Sequence, residues 1–234
     1  MDKPYCCWML NLRYSWNGTV QYLHPVVLFG ERDIVLVDCG YSGSLKLLER
    51  ELSSRGLGLE GITKLVLTHQ DDDHMGAAAE LKEAYPALQI LASWEEAPYI
   101  SGERKNLRLQ QAEKMQAYMP EEQKVFGEQF CQRLRAVRTV SVDGILRPGD
   151  RFDWGGGCEI LGTPGHTPGH LSIRALDGSF LITGDAAVVE NEALAVANPE
   201  YCLDVGKAQR SLEKLEGYGC RRYLCFHGGC LERG

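Results

Sequence analysis

The sequence predicts a single domain of the α+β class, because strand-like runs followed by helical patterns occur in each half of the chain. The 234 residues contain no Pro-, Gly- or Ser-rich linker that would divide them. Hydrophobic residues make up 44% of the chain, enough for a sizeable core, and no apolar run approaches the roughly 18 residues that a membrane span needs. We therefore expect one soluble domain over residues 1–234.

The first half alternates between the two-residue period of strands and the wider spacing of helices. A Gly-Glu-Arg-Asp turn between two β-branched runs predicts a hairpin, and leucines at helical spacing predict the helix that follows it. Gly56 ends that helix, and Pro86 stops the next one. The predicted order is strand, strand, helix, strand, helix, strand, over residues 26–29, 34–37, 43–55, 64–68, 73–85 and 89–92.

Residues 95–137 form a long helical stretch rich in Gln, Glu, Lys and Arg, with apolar residues spread along it. We interpret this stretch as an inserted helical cap, and an ordinary amphipathic layer is the alternative. Strand-like runs separated by Gly-rich turns then return, followed by a helix and a last strand. These elements are predicted over residues 159–161, 171–173, 180–183, 205–218 and 222–226.

The turn after the strand at 64–68 carries an unusual concentration of metal-binding side chains. A strand-to-helix turn carries five such side chains within six positions: His69, Asp71, Asp72, Asp73 and His74. At such a turn a rigid sheet fixes the backbone, and several side chains can converge. An alternative is that the three aspartates form only a cap at the start of a helix.

Three later segments also place a His or Asp on a Gly- or Pro-flanked turn after a strand-like run. They are Thr163-Pro164-Gly165-His166-Thr167-Pro168-Gly169-His170, Gly184-Asp185, and Phe226-His227-Gly228-Gly229. Coincidence at all four places is hard to accept, so the pattern favours a metal site over a simple helix cap.

In their order and spacing the four segments resemble the metallo-β-lactamase superfamily, and the resemblance covers nearly the whole chain. It implies a four-layer αββα sandwich in which 95–137 is a helical insertion. It also implies two divalent metal ions. His69, Asp71 and His166 would hold one ion, Asp73, His74 and His227 the other, and Asp185 would bridge both.

One position departs from the family pattern. The usual motif is His-x-His-x-Asp-His, whereas this chain has Asp71 in place of the second histidine. A variant with Glu at that place occurs in flavodiiron proteins, so the fold accepts a carboxylate there. Zinc is the expected metal, and the added negative charge predicts that the harder ions Mn or Fe compete better at the first position.

Several other residues receive roles from the resemblance or from their surroundings. Asp38 matches the first family motif and would accept a hydrogen bond from a ligand imidazole, with a plain turn residue as the alternative. His170 is expected to support the site rather than to bind metal. Asp72 matches no ligand position and is expected to be solvated or a cap, and His24 lies outside every motif.

The resemblance implies a hydrolase in which a hydroxide bridging the two metals attacks a small ester, lactone, thioester or phosphoester. Asp73 would accept a proton while ligating, and Tyr201 is a candidate donor to the developing oxyanion. Asp71 and the lack of a secretion signal disfavour a specific β-lactamase. Two alternatives are a non-haem di-iron oxidoreductase and a non-catalytic module that only retains metals.

The composition limits the classes of molecule that this protein is expected to bind. A formal charge of −7 argues against a nucleic-acid surface, so a small-molecule substrate without nucleic acid or membrane is expected. The nine cysteines lack the spacing of a disulfide framework or a common zinc signature, and we expect reduced, mostly buried thiols in a cytoplasmic protein. Cys39 and Cys230 flank the proposed site motifs. The sequence leaves the oligomeric state open.

Overall fold

A computed structural model describes residues 7–16 and 18–233. In chain order its strands are β1 (Cys7–Met9), β2 (Leu12–Trp16), β3 (Thr19–Leu23), β4 (Val26–Phe29), β5 (Ile34–Val37), β6 (Lys64–Val66), β7 (Gln89–Ser93), β8 (Gly144–Leu146), β9 (Arg151–Phe152), β10 (Cys158–Gly162), β11 (Leu171–Ala175), β12 (Leu181–Gly184), β13 (Val188–Glu190), β14 (Ala193–Ala195), β15 (Arg222–Cys225) and β16 (Gly229–Glu232). The helices are α1 (Leu45–Ser53), α2 (Asp72–Met75), α3 (Ala78–Ala84), α4 (Ala97–Ile100), α5 (Leu107–Gln116), α6 (Glu121–Arg135) and α7 (Val205–Gly217).

Two six-stranded sheets organise these elements. The first has the order β1-β4-β5-β6-β7-β8, and the second has the order β16-β15-β12-β11-β10-β9. Strands β5 to β8 run parallel to one another, and so do β12 and β15. Because the carboxyl ends of parallel strands meet at one edge of a sheet, the residues that follow β5, β6, β12 and β15 are brought close together.

The two sheets pack face to face and bury a shared apolar core. Val35 and Val37 of the first sheet belong to the same buried cluster as Ile160 and Ile173 of the second. The opposite face of the first sheet is covered by α1 and α3, and that of the second by α7, each over its own buried cluster. The predicted αββα sandwich is thus confirmed, with an inner apolar layer between the sheets and an outer one under the helices.

The predicted helix over 73–85 is wrong as a single element, because it divides into α2 and α3 at Gly76 and Ala77. The backbone N–H of Ala77 donates to the carbonyl of Gly40 at 3.2 Å, outside the helical ladder. A Cβ on Gly76 would lie 2.4 Å from the backbone nitrogen of Ser42. The loop after β5 therefore packs directly on this joint, which explains the break.

The segment 95–137 is helical, but it forms three helices, α4 to α6, rather than one long stretch. The helical run is interrupted after α4 at Gly102, which has a φ of +83°, and again at Pro120, which directly precedes α6. Leu109 and Ala112 of α5 pack on Cys131 and Leu134 of α6 in a small separate cluster.

The prediction that the strand over 222–226 is the last one is wrong, because β16 follows β15 and pairs with it. None of the helices in the described ranges has the length and apolar character needed to cross a bilayer.

Candidate metal centre

The metal-binding residues predicted from the sequence lie together at the carboxyl ends of the strands. His69 follows β6, Asp185 follows β12 and His227 follows β15, so the two sheets bring them to one edge. Gly184 shows how tightly this edge is built. Its φ is +54°, and a Cβ there would lie 2.6 Å from His170 Nε2, so only glycine fits the turn before Asp185.

His69, Asp71 and His166 form a first cluster, whose potential ligand atoms all lie within 4.8 Å of one another. Asp71 Oδ2 is 3.6 Å from His69 Nε2 and 3.0 Å from His166 Nε2. All three side chains are buried, with His69 completely shielded from solvent. This is the set of residues that the sequence assigned to the first ion.

Asp73, His74 and His227 form a second cluster with the same mutual reach. Asp73 Oδ2 is 3.1 Å from His227 Nε2 and 3.9 Å from His74 Nε2. The three side chains come from the turn after β6 and from the end of β15, so the cluster joins the two sheets.

Asp185 lies between the two clusters. Its Oδ1 is 3.2 Å from His74 Nε2 and 3.5 Å from His227 Nε2, while its Oδ2 is 3.5 Å from His166 Nε2. A carboxylate with one oxygen directed at each cluster has the geometry of a bridging ligand.

The donor atoms fit a divalent metal ion. His69 Nε2, His74 Nε2 and Asp185 Oδ1 are buried and have no hydrogen-bond partner. Burying such atoms without a partner is costly, and their convergence on one small region is what coordination would relieve. Imidazole nitrogens and carboxylate oxygens also suit zinc, manganese and iron.

Asp38 makes the contact expected for a residue that orients a ligand. Its Oδ2 is 2.8 Å from His74 Nδ1, which directs Nε2 of the ring into the cluster. The backbone N–H of Thr68 donates to Asp38 Oδ1 at 2.9 Å, and the Thr68 hydroxyl lies 3.0 Å from His69 Nδ1. Asp38 has a φ of +61°, an unusual conformation for a non-glycine residue that these bonds hold in place.

His170 supports the centre and is in none of the clusters. The backbone N–H of Asp185 donates to His170 Nε2 at 2.9 Å, so this nitrogen is unprotonated and Nδ1 faces the Thr163 hydroxyl at 2.8 Å. Burial, together with nearby His69, holds the pKa of His170 well below its usual value. A neutral His170 therefore fixes the backbone that carries Asp185.

The expectation that Asp72 is solvated or a helix cap is wrong. Asp72 is only 7% exposed, and its Oδ2 lies 3.0 Å from Arg133 Nε of α6. Burial and the neighbouring charge of Asp73 raise the pKa of Asp72 to about 7. Asp71 occupies the cap position of α2 but makes no side-chain cap bond, so the cap interpretation of the acidic run also fails.

Arg108 of α5 is a residue of the site that the sequence did not reveal. It is 5% exposed, and its Nε and Nη2 donate to Asp71 Oδ2 at 3.0 and 2.5 Å. Burial raises the pKa of Asp71, but the Arg108 charge and a hydrogen bond from His166 outweigh it and hold that pKa well below its usual value. The pair Asp71–Arg108 is neutral, like the imidazole that the family has at the position of Asp71.

Glu96 is a second residue that the sequence did not reveal. It is fully buried, and its Oε2 accepts hydrogen bonds from the backbone and side-chain nitrogens of Gln70, both at 3.1 Å. Its Oε1 accepts from the backbone N–H of Gly169 at 2.8 Å. Glu96 thus ties the turn that carries Asp71 to the turn that carries His166.

Four other residues singled out in the sequence lie near the centre or away from it. The Tyr201 side chain is 39% exposed and borders the cavity over the centre, and its ring lies 5.2 Å from the Arg108 guanidinium carbon. His24 Nδ1 is 3.2 Å from the carbonyl of Leu10, and His24 is in none of the clusters. Cys39 is buried with its thiol donating to the carbonyl of His74, whereas Cys230 is exposed.

A cavity of about 210 Å³ opens over the clusters. Asp71, Asp73, His166 and Asp185 line its floor, and the helical insertion contributes part of the wall. The other lining residues are Gln21, Tyr41, Asp72, Arg108, Phe130, Arg133, Asn198 and Tyr201. The cavity is at the small end for a ligand site, which favours a small substrate or the reacting end of a larger one.

Without metal, the centre binds protons. Burial lowers the pKa of His227 and His166, but the Asp185 charge near His227 and a hydrogen bond that His166 donates to Asp71 outweigh it, raising these pKa values to about 10 and about 9. Metal ions bind the unprotonated imidazoles, so metal binding must displace these protons and must strengthen as the pH rises.

We expect the metal-free protein to lose stability as the pH rises from 7 to 8.5. Because the folded-state pKa values of His227 and His166 are raised, their stabilising effect is complete below the unfolded value near 6.5 and is lost as the pH passes through about 9 and 10. The slope is at most about 1.4 kcal/mol per pH unit for each proton that only the folded state holds. Urea unfolding of chelator-treated protein at several pH values measures it.

Saturating zinc provides the control for this slope. The ligands are then unprotonated throughout, and the alkaline loss should disappear. A metal-free protein whose unfolding free energy is constant or rises over this pH range would contradict the assignment of the protons to these imidazoles.

Comparison with known proteins identifies the family. The sequence model of the metallo-beta-lactamase superfamily matches residues 22–227 of this chain. The chain is 29% identical over 206 residues to the probable metallo-hydrolase YflN of Bacillus subtilis, covering 83% of this chain and 75% of YflN. It is 27% identical over 155 residues to the hydroxyacylglutathione hydrolase GloC of Haemophilus influenzae, covering 66% of this chain and 61% of GloC.

The fold is also found among solved structures. The metallo-beta-lactamase family protein TTHA1429 from Thermus thermophilus superposes with a TM-score of 0.75 at 20% sequence identity, covering 97% of this chain and 75% of that protein. The protein described here belongs to the metallo-beta-lactamase superfamily, as its sequence motifs indicated.

Proposed function

We propose that this protein is a metal-dependent hydrolase of small esters, lactones, thioesters or phosphoesters. The observation that carries the proposal is the convergence of three buried atoms without hydrogen-bond partners, His69 Nε2, His74 Nε2 and Asp185 Oδ1, at the base of a cavity that Asp185 lines. The names of YflN and GloC, a probable metallo-hydrolase and a hydroxyacylglutathione hydrolase, support hydrolysis.

The seven predicted ligands offer two subsites that share Asp185. His69, Asp71 and His166 are the first subsite, and Asp73, His74 and His227 are the second. Divalent ions held in such a centre would act as Lewis acids that polarise the scissile bond, and they would lower the pKa of a bound water toward neutral pH. Zinc is the proposed metal, with manganese or iron as alternatives.

The protein's own residues would handle protons and charge around the substrate. Burial raises the pKa of Asp73, but nearby His74 and a hydrogen bond from His227 outweigh it and lower that pKa, so Asp73 is ionised and able to accept a proton from water. Tyr201, at the cavity wall, is proposed as a donor to the oxyanion that forms on the substrate.

The cavity wall also bears on substrate choice. The Arg133 guanidinium carbon lies 5.5 Å from the Tyr41 ring and 5.0 Å from the Phe130 ring, so a cation flanked by aromatic rings stands at the cavity. Asp72 already pairs with this cation, so the wall suits an acyl or phosphoryl group with a compact body that stacks on the aromatic rings.

A substrate panel tests the proposed function. Protein purified without chelator is analysed for metal and assayed with a hydroxyacyl glutathione thioester, an aryl ester, a lactone, a β-lactam and a phosphodiester. We expect metal-dependent hydrolysis of at least one of the thioester, the aryl ester, the lactone and the phosphodiester, abolished by chelator and restored by zinc or manganese. An iron-loaded protein that consumes oxygen and hydrolyses nothing, or a metal-loaded protein inert toward the whole panel, would refute the proposal.

A further inference from the structure

The two subsites differ in the positively charged groups that neutralise their carboxylates before any metal ion binds. In the second subsite Asp73 and the shared Asp185 face the imidazoles of His74 and His227. In the first subsite Asp71 faces a permanent cation, because a guanidinium stays protonated at every accessible pH. Arg108 therefore brings to the first subsite the charge that a metal ion would otherwise supply.

Arg108 also occupies the space that a first ion would need. Its Nη2 lies 2.5 Å from Asp71 Oδ2 and 3.0 Å from His166 Nε2, which are two of the three ligand atoms of the first subsite. An ion at coordination distance, about 2.0 to 2.2 Å from the same atoms, would meet this nitrogen and its positive charge.

The arginine is held firmly in this position. Its Nη1 donates to the carbonyl of Tyr201 and to the side chain of Gln111, and its guanidinium carbon lies 5.2 Å from the Tyr201 ring. The start of α5 is itself fixed to the metal-binding turn, since Asn106 Nδ2 donates to the carbonyl of Gln70 at 2.9 Å. Moving Arg108 away from Asp71 thus means breaking several bonds at once.

We propose that Arg108 acts as a built-in cation of the first subsite, so that the second subsite takes its metal ion first and the first subsite takes one only when Arg108 withdraws from Asp71 and His166. This inference rests on the proposed metal-dependent function but concerns the order and strength of metal binding, not the substrate. Arg108 is a positioning residue in this account, and it determines the metal content of the centre.

Metal titration of chelator-treated protein tests the inference. We expect wild-type protein to retain about one zinc or cobalt ion per chain tightly and to bind a second at least about tenfold more weakly, whereas Arg108→Met should retain about two tightly. Arg174→Met is the matched control, because Arg174 also joins a carboxylate, Glu159 at 2.8 Å, and an aromatic ring, Tyr218 at 4.5 Å, away from the metal ligands. Its titration should match wild type.

Arg108→Met leaves the Asp71 carboxylate buried without its partner, and this variant could therefore fail to fold. A second variant keeps the test decisive in that case. The double variant Asp71→His, Arg108→Met removes both charges, and we expect it to retain about two ions tightly. The inference is overturned if wild-type protein binds two ions with equal affinity, or if every folded variant lacking Arg108 still retains only one. Protein that binds no ion would sink this inference and the proposed function together, whereas the expected stoichiometry without hydrolysis of any substrate would refute the function alone.

Discussion

Replacing Asp185 with alanine is expected to lower turnover by more than about a hundredfold and to reduce metal content. Even residues that only orient metal ligands contribute about ten- to a hundredfold, and Asp185 is proposed as a ligand itself. It is the carboxylate that reaches His74 Nε2 at 3.2 Å with one oxygen and His166 Nε2 at 3.5 Å with the other. Its loss would therefore weaken both subsites.

The measurement is the rate with the best substrate of the panel, together with metal analysis of the same sample. Asp177→Ala is the control, because Asp177 lies on an exposed turn and faces Arg221 at 3.9 Å, and it should leave rate and metal content unchanged. Asp185→Asn keeps the shape but removes the charge, and we expect an intermediate metal content. Full activity in Asp185→Ala would count decisively against a shared carboxylate between the subsites.

Replacing Glu96 with alanine should have the largest effect on stability. The change leaves the backbone N–H groups of Gln70 and Gly169 buried without an acceptor, at a cost of about 1 to 3 kcal/mol each. We therefore expect the free energy of unfolding to fall by about 2 to 6 kcal/mol. Because the two turns then separate, metal affinity should also fall at the subsite of Asp71 and His166.

Glu96→Gln separates the hydrogen bonds from the charge. An amide oxygen still accepts one of the N–H bonds, so the loss of stability should be about 1 to 2 kcal/mol. Burial raises the pKa of Glu96 to about 7. The free energy of unfolding of the wild-type protein should therefore fall as the pH rises from about 4.5 through 7, because the folded state holds this proton longer than the unfolded state does. The Gln variant should lack this contribution.

Urea unfolding at pH 5 and pH 8 measures both Glu96 variants, with Glu95→Ala as the control at the neighbouring, partly exposed position. An alanine variant as stable as wild type would show that Glu96 does not brace the two turns. A Gln variant that keeps the wild-type difference between pH 5 and pH 8 would show that another group is responsible for that difference.

The sequence was informative where chemistry and local pattern coincide. His69, His166, Asp185 and His227 each follow a strand-like run on a Gly- or Pro-flanked turn, and strands that share a sheet edge must bring such turns together. The hairpin of β4 and β5 was predicted for a similar local reason, since its turn sequence separates two clear apolar runs.

Arg108 and Glu96 could not be predicted because their partners are far away in the sequence. Arg108 reaches Asp71 across 37 residues and His166 across 58, from a helix whose local pattern resembles that of any charged surface helix. Glu96 joins Gln70 and Gly169, which are 26 and 73 residues away. Such contacts depend on how the insertion folds back, and tertiary packing determines that rather than residue spacing.

The burial of Asp72 has the same origin. Three consecutive aspartates suggest a solvated turn, yet α6 places Arg133 over the second of them. The break between α2 and α3 likewise arises from the loop after β5, which is distant in sequence from Gly76. In each case a segment outside the motif determines the environment of a residue inside it.

Anomalous X-ray diffraction from crystals of the zinc-loaded protein is the most direct test of the metal centre. The strongest peak should lie between His74 Nε2, His227 Nε2 and the carboxylates of Asp73 and Asp185, with metal–ligand distances of about 2.0 to 2.2 Å. A strongest peak beside cysteine thiols, or none within coordination distance of these four side chains, would contradict it.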